Sequence, residues 1–184
     1  MRTLVLLLEE RSAREMLEGL LPRILPDDVQ VRYIVFEGKQ DLEKQLIRKL
    51  RGWKAPESTF VVLRDQDAGD CFAVKNVLTQ KCHSAGHPET IVRIACRELE
   101  SWYLGDLAAV ETALQLKGIA RQQDKSRYRN PDAVVQPSAE LVRLTHDVYQ
   151  KVSGSRAIGP LLSLDQNQSH SFRVFIAGIN GLFQ

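Results

Sequence analysis

The sequence predicts an α/β fold, a parallel sheet of about four strands flanked by helices and followed by a C-terminal helical extension. Two observations predict it. Short apolar runs at residues 3–8, 29–36, 59–65 and 90–96 have the composition of buried strands. A helical pattern follows each run, and strands that alternate with helices favour parallel pairing through right-handed crossovers.

The helices are predicted from the spacing of apolar residues and from signals at their ends. Ser12 and Glu15 have the spacing of a capping box, and Pro26 ends the first helix. Further helices are predicted at residues 41–51, 71–81, 106–116, 138–152, 157–164 and 170–183. Residues 117–137 are polar and indicate a long loop or a partly ordered arm. We therefore divide the chain into a core, residues 1–106, and a helical extension, residues 107–184, packed on it as a single compact domain.

Composition indicates an ordinary soluble globule. The sequence is 43% hydrophobic and 26% charged, which is ordinary for a globular protein. A chain of 184 residues is long enough to bury a full core. The formal net charge of +2 means that any contact with nucleic acid must come from a local basic patch. No apolar run approaches the roughly 18 residues of a membrane span. The lack of such a span predicts no membrane partner, and three cysteines without a Cys-x-x-Cys pair favour the reducing cytoplasm.

Acidic residues follow three of the four predicted strands: Glu9 after the first, Asp65 and Asp67 after the third, Glu98 and Glu100 after the fourth. The carboxyl ends of parallel strands meet at one edge, where ligands bind in open α/β sheets. Carboxylates this close repel each other unless a cation lies between them, and Mg²⁺ prefers oxygen ligands. The pattern predicts a site for Mg²⁺ or Mn²⁺. For the Asp65–Asp67 pair alone, the alternative is a solvated turn before a helix N-terminus.

These residues resemble the Toprim domain. The likeness is carried by Glu9, by Asp65-x-Asp67 and by Arg-Glu-Leu-Glu-Ser-Trp-Tyr-Leu at residues 97–104, which is similar to a stretch in the Toprim domains of overcoming-lysogenization-defect nucleases. The whole chain resembles a small bacterial domain-of-unknown-function family of the Toprim clan, with Tyr149-x-Lys151, Ile158-Gly-Pro160 and Asn167-x-Ser-x-Ser-Phe172 as further matches. The resemblance implies a Toprim/Rossmann-like sheet.

The resemblance also implies Mg²⁺-dependent phosphodiester hydrolysis on nucleic acid, in bacterial defence against phage or plasmids beside a separate ATPase. By position, Glu9 is the catalytic acid/base or a metal ligand, and Asp65, Asp67, Glu98 and Glu100 are metal ligands. Many Toprim domains have Gly after the first Glu. Glu10 stands there in this chain, which leaves open how closely a phosphate can approach. The chain itself has no Walker A motif.

Basic side chains supply the remaining candidates. Lys151 is the predicted catalytic cation and Arg173 the second choice; the alternative for either is a surface ion pair. Nucleic-acid contacts, to DNA in preference to RNA, are predicted for Arg97, Arg121, Lys125, Arg127, Arg129 and Arg173. The alternative for residues 117–129 is a solvated loop. Trp102 and Tyr103 could stack on a base, but packing of their helix on the sheet is favoured.

Two other functions remain open at this point. A haloacid-dehalogenase-type phosphatase also has a strand that ends in Asp-x-Asp, with the first Asp as nucleophile. That pair normally follows the first strand, whereas Asp65 follows the third. The other alternative is a non-catalytic module that binds a metal or a protein. Phosphate release from a small phosphoester would favour the phosphatase, and metal binding without cleavage would favour the module.

Overall fold

The computed structural model describes residues 2–183, with four strands and a series of helices. The strands are β1 (Arg2–Leu8), β2 (Val29–Val35), β3 (Ser58–Asp65) and β4 (Ile91–Ala95). The α-helices are α1 (Arg11–Leu20), α2 (Lys39–Gly52), α3 (Cys71–Ser84), α4 (Glu100–Leu104), α5 (Leu107–Ala113), α6 (Ser126–Arg129), α7 (Pro137–Leu144), α8 (Lys151–Ile158) and α9 (His170–Asn180). Short 3₁₀ turns occupy Leu21–Arg23, Ala120–Gln122, Pro131–Ala133 and Gly159–Leu161.

The four strands form one parallel sheet in the order β2-β1-β3-β4, which confirms the predicted fold class. Leu8 pairs with Val35 on one side and with Leu63 on the other, so the three strands end at nearly the same level. Asp65 pairs with Ala95 at the end of β4. The residues that follow β1, β3 and β4 therefore lie along one edge.

Each face of the sheet packs on its own group of helices. Because side chains alternate along a strand, Leu4, Leu6 and Leu8 contribute to one apolar cluster, and Val5 and Leu7 to the other. The first cluster contains residues of α1, α4, α7 and α9, and the second contains residues of α2 and α3. The C-terminal helices thus complete one side of the core. The proposed boundary at residue 106 stays a prediction.

Trp102 and Tyr103 are fully buried, which confirms the packing interpretation. The Trp102 ring lies 5.3 Å from the Phe172 ring and 5.1 Å from the Phe175 ring, centroid to centroid. Its Nε1–H donates to Ser171 Oγ at 2.9 Å. Trp102 therefore joins α4, which carries Glu100, to α9.

The predicted helix at residues 138–152 is wrong, because it is divided between α7 and α8. Thr145 Oγ1 donates to the Leu141 carbonyl at 2.8 Å and competes with the continuing helix. His146 and Asp147 have φ values of 51° and 64°, in the left-handed region that ends a helix. The break places Lys151 at the start of a separate helix.

The predicted capping box at Ser12 is also wrong. Glu10 is the N-cap residue of α1, and Ser12 lies inside the helix with its Oγ–H donating to Glu10 Oε1 at 2.7 Å. Glu15 points instead towards α8. The first helix ends at Leu20, and Pro22 lies within the 3₁₀ turn that follows. Three short helical turns lie within residues 117–137, and partial order of this arm stays a prediction.

None of the helices within residues 2–183 is long and apolar enough to cross a membrane.

Glu15 gives a pH-dependent test of the contact between α1 and α8. Arg156 Nε lies 2.6 Å from its Oε2, and hydrogen bonds from Arg156 and Arg11 lower the pKa of Glu15 from 4.5 to about 2. Because the folded pKa lies below the unfolded one, the pair stabilises the fold above about pH 4.5 and this contribution is lost as the pH falls to about 2. We expect Glu15→Gln to lower the free energy of unfolding at pH 7, and the difference from wild type to shrink towards pH 2.

Urea denaturation at pH 7, 5 and 3 measures this difference. Glu18→Gln is the matched control, because Glu18 belongs to an exposed pair with Arg14 on the same helix. Exposed pairs of this kind contribute about 0–1 kcal/mol. A Glu15→Gln effect of constant size across this pH range would contradict the assignment.

Candidate functional site

The candidate site lies where β1 and β3 end. Glu9 is the first residue after β1, and Asp65 is the last residue of β3. Glu9 Oε2 accepts a hydrogen bond from the Asp65 backbone N–H at 3.1 Å. This bond fixes the Glu9 side chain across the ends of two neighbouring strands.

Glu100 is the most buried acid of the site. Its side chain is fully buried, and its Oε1 accepts a hydrogen bond from the Tyr149 hydroxyl at 2.9 Å. Its Oε2 is buried with no hydrogen-bond partner among the residues that the structure describes. A buried polar atom without a partner costs about 1–3 kcal/mol. Burial raises the pKa of Glu100. The unpaired oxygen and the burial both fit a ligand for a cation.

Asp65 is near both of these acids. Burial raises the pKa of Asp65 well above its usual range, and the nearby charges of Glu100, Glu9 and Glu10 raise it further. These four carboxylates therefore form one electrostatic cluster. Glu9, Asp65 and Glu100 lie at or after the carboxyl ends of β1, β3 and β4.

Two lysines oppose this negative charge. Lys151 Nζ lies 2.8 Å from Glu10 Oε1, and Lys39 Nζ lies 2.8 Å from Asp67 Oδ2. Lys151 is also close enough to Asp65 to lower its pKa. The predicted candidate Lys151 is thus at the site, and a role in catalysis remains a prediction.

Glu10 and Lys39 are site residues that the sequence reasoning did not select. Glu10 directly follows Glu9 at the sheet edge, and Lys39 begins α2 in the turn after β2, which ends at the same edge. Glu10 has extended backbone dihedrals, φ −149° and ψ 167°, which any residue adopts. The backbone at this position therefore does not need the glycine found in many Toprim domains.

The five predicted metal ligands are not gathered into one centre. Glu98 Oε2 accepts a hydrogen bond from the Ser138 N–H at 2.7 Å, and Glu98 shares a cavity with Asp67 and Arg97. Burial raises the pKa of Glu9, and the nearby charge of Asp67 raises it further. Over residues 2–183, no three Asp, Glu, His or Cys side chains form a preassembled metal site. The oxygen donors suit a hard divalent cation, and metal binding by these residues remains a prediction.

The loops after β3 and β4 are held against each other. The Asp67 N–H donates to the Arg97 carbonyl at 2.7 Å, and the Arg97 N–H donates to Gln66 Oε1 at 3.1 Å. Asp67 and Arg97 both have left-handed backbone, with φ values of 57° and 62°. This conformation is uncommon for a residue other than glycine, and such residues cluster at functional sites.

Four of the other predicted basic residues have local partners. Lys125 Nζ donates to Gln122, Arg129 Nε to the Asp124 carbonyl, and Arg173 Nη1 to the Asn167 carbonyl, while Arg121 is exposed and Arg127 pairs with Glu140. Arg97 alone among them borders a cavity with Asp67 and Glu98. The hydrogen bond of Arg173 is to the Asn167 carbonyl and not to an acid of the candidate site. Contact of these residues with nucleic acid stays a prediction.

A family model matches residues 8–180, nearly the whole chain. The chain belongs to the domain-of-unknown-function family DUF4276. Membership agrees with the resemblance to a family of that kind. No curated protein matches this DUF4276 chain.

Solved structures show what the DUF4276 fold is similar to. The C-terminal region of the Burkholderia pseudomallei OLD protein matches with a TM-score of 0.54 and 16% identity over 98% of each chain. The C-terminal region of the Xanthomonas campestris pv. campestris OLD protein has a TM-score of 0.49 and 17% identity, over 99% of this chain and 94% of that chain. The first match shows a common fold.

Proposed function

We propose that this chain is a Toprim-like, divalent-metal-dependent nuclease that hydrolyses phosphodiester bonds of nucleic acid, DNA in preference to RNA. The observation that carries the proposal is the cluster of Glu9, Asp65 and Glu100 at the carboxyl edge of the sheet. Glu9 bonds to the backbone of Asp65, and the charge of Glu100 acts on Asp65. The fold common to the OLD C-terminal region supports the same assignment.

Mg²⁺ or Mn²⁺, held by Asp65 and Glu100 with Asp67 nearby, would polarise a phosphoryl oxygen and lower the pKa of a bound water. The chain's own groups have separate tasks. The Asp65 N–H orients Glu9 to accept a proton from the attacking water. Lys151, now paired with Glu10, can turn to a phosphate oxygen and stabilise its negative charge.

A role in defence against phage or plasmids, beside a separate ATPase, is part of this proposal and is supported by the Toprim resemblance. The absence of a Walker A motif in the sequence is consistent with ATP hydrolysis by another protein.

The test is a cleavage assay on supercoiled plasmid and on single-stranded DNA, with Mg²⁺, with Mn²⁺ and with EDTA. We expect cleavage with either metal and none with EDTA. Calorimetric titration with Mn²⁺ should show binding to the same protein. Release of phosphate from p-nitrophenyl phosphate without DNA cleavage would favour the phosphatase. Metal binding with neither reaction would favour a non-catalytic module.

A further inference from the structure

A trough leads from the candidate site towards the C-terminal helices. It consists of three adjoining cavities, and Gln136 borders all of them. The first, about 260 Å³, is lined by Asp67, Arg97 and Glu98 at the sheet edge. The second, about 840 Å³, extends from Glu98 along α7, and the third, about 740 Å³, ends at α6. We call this surface the Gln136 trough.

The far end of the Gln136 trough carries two arginines fixed on one acid. Arg143 donates from Nη2 to Glu140 Oε1 at 2.6 Å and from Nε to Oε2 at 3.2 Å. Arg127 Nη2 lies 2.9 Å from the same Oε2. The Glu140 side chain is 4% exposed, whereas those of Arg127 and Arg143 are 58% and 64% exposed. The group keeps a net positive charge, and it faces solvent through the guanidinium groups.

Glu140 is well suited to hold these arginines in place. Burial raises the pKa of Glu140, but hydrogen bonds from Arg143 and Tyr128 outweigh this and leave its pKa below the usual value. The ionised carboxylate uses three guanidinium N–H groups of the ten that two arginines offer, so most donors remain for a ligand. Guanidinium groups match phosphate oxygens in geometry, and a fixed pair loses little entropy when it binds them.

The wall between the arginines and the acids is apolar and open. Val134, Val135 and Ala139 line the cavity at the arginines, and Val135, 72% exposed, also borders the cavity at Asp67. A ligand that contacts the protein only through phosphate groups would leave these apolar side chains exposed to water. A strand with unpaired bases can cover it, because every base has an apolar face.

We propose that the Gln136 trough binds an unpaired nucleic-acid strand, with a backbone phosphate on Arg127 and Arg143 and the next nucleotides leading to the acids at the sheet edge. The inference rests on the proposed nuclease function and adds the form of its substrate. The two larger cavities, about 740 and 840 Å³, have the size of small-ligand pockets, roughly 300–1,000 Å³.

The test is fluorescence anisotropy with a fluorescein-labelled oligonucleotide, single-stranded or annealed to its complement, with Ca²⁺ in place of Mg²⁺. The variant is R127Q/E140Q/R143Q, in which Glu140→Gln avoids a buried carboxylate without a cation. We expect it to bind the single strand about 10-fold or more weakly, because a charged bidentate interaction with phosphate is removed. The slope of log K against log salt should fall in magnitude by about 0.7 for each phosphate that the variant no longer neutralises.

The matched control is R14Q/E18Q, which removes an exposed arginine–glutamate pair on α1, outside the trough. It should bind like wild type. Val135→Glu is a second variant that cannot disturb the core, because Val135 is exposed. Val135→Glu should also weaken single-strand binding about 10-fold, because it places a negative charge beside the phosphate backbone of the bound strand. Melting curves report whether each variant folds.

Wild-type affinity in either Val135→Glu or the folded triple variant would overturn the inference, as would duplex binding as tight as single-strand binding. These outcomes leave the nuclease proposal intact if wild type still cleaves DNA. Conversely, arginine-dependent binding of the single strand without metal-dependent cleavage would support the trough and overturn the nuclease proposal.

Discussion

Asp65→Asn should reduce metal-dependent cleavage by about 100- to 1,000-fold or more, the range seen when one charge-stabilising group is removed from an active site. Asp65 is the member of the cluster on which Glu9, Glu10 and Glu100 all act. The substitution keeps the shape of the side chain and removes the charge that a cation needs. Initial cleavage rates with Mg²⁺ and Mn²⁺ measure the loss. Full activity in Asp65→Asn would show that the site assignment is wrong.

The same substitution should leave the chain folded. In EDTA the pKa of Asp65 in the folded state lies above its unfolded value of 3.8. The contribution of Asp65 to the free energy of unfolding is therefore fully present below about pH 3.8 and is lost as the pH rises through the folded pKa. Asparagine does not ionise, and the Tm of Asp65→Asn at pH 7 in EDTA should be equal to that of wild type or higher. Adding Mn²⁺ should raise the Tm of wild type more than that of the variant.

Asp27→Asn is the control for both measurements. Asp27 is exposed and precedes β2, at the opposite end of the strands from the candidate site. It should retain wild-type cleavage and a wild-type response of the Tm to Mn²⁺. A general effect of losing one negative charge would appear in Asp27→Asn as well.

Trp102→Ala should have the largest effect on stability, about 3–5 kcal/mol in the free energy of unfolding. The ring is fully buried against Phe172 and Phe175, and its loss leaves a cavity between α4 and α9. It also removes the hydrogen bond to Ser171 Oγ. Urea denaturation followed by circular dichroism measures the change.

Trp102→Phe is the comparison, because it keeps most of the apolar contact and should cost clearly less. If Trp102→Ala lowered the free energy of unfolding by less than about 1 kcal/mol, the surrounding side chains would have closed the space left by the ring without a penalty. In that case Trp102 would not be the residue that anchors Glu100 and its helix to the C-terminal part of the chain.

The sheet was predictable because strands that are buried on both faces have continuous apolar runs in the sequence, as β1, β3 and β4 do. The placement of acids at one edge followed from parallel pairing alone. The division between α7 and α8 was not predictable from apolar spacing, which continues through the break. It depends on the left-handed backbone of His146 and Asp147 and on the Thr145 hydroxyl.

The details of the site depend on contacts between distant residues. Nothing near Glu10 in the sequence indicates that Lys151 is its partner, and nothing near Glu15 indicates Arg156, which is 141 positions away. In the sequence Arg143 has the pattern of an ordinary exposed helical residue. The fold places Arg127, from the polar arm, on the same acid, Glu140. Such pairs arise from the tertiary fold and have no local signature.

The hydrogen bond between Glu98 and the Ser138 N–H would couple the proposed metal binding to helix α7. Backbone N–H groups in the first turn of a helix lack partners of their own, and Glu98 supplies one for α7. A cation that recruited this carboxylate would take it away from the helix end. Occupancy at the sheet edge and the order of α7 would then be thermodynamically linked, and the linkage would act equally in both directions. One side chain would thus let each region sense the state of the other.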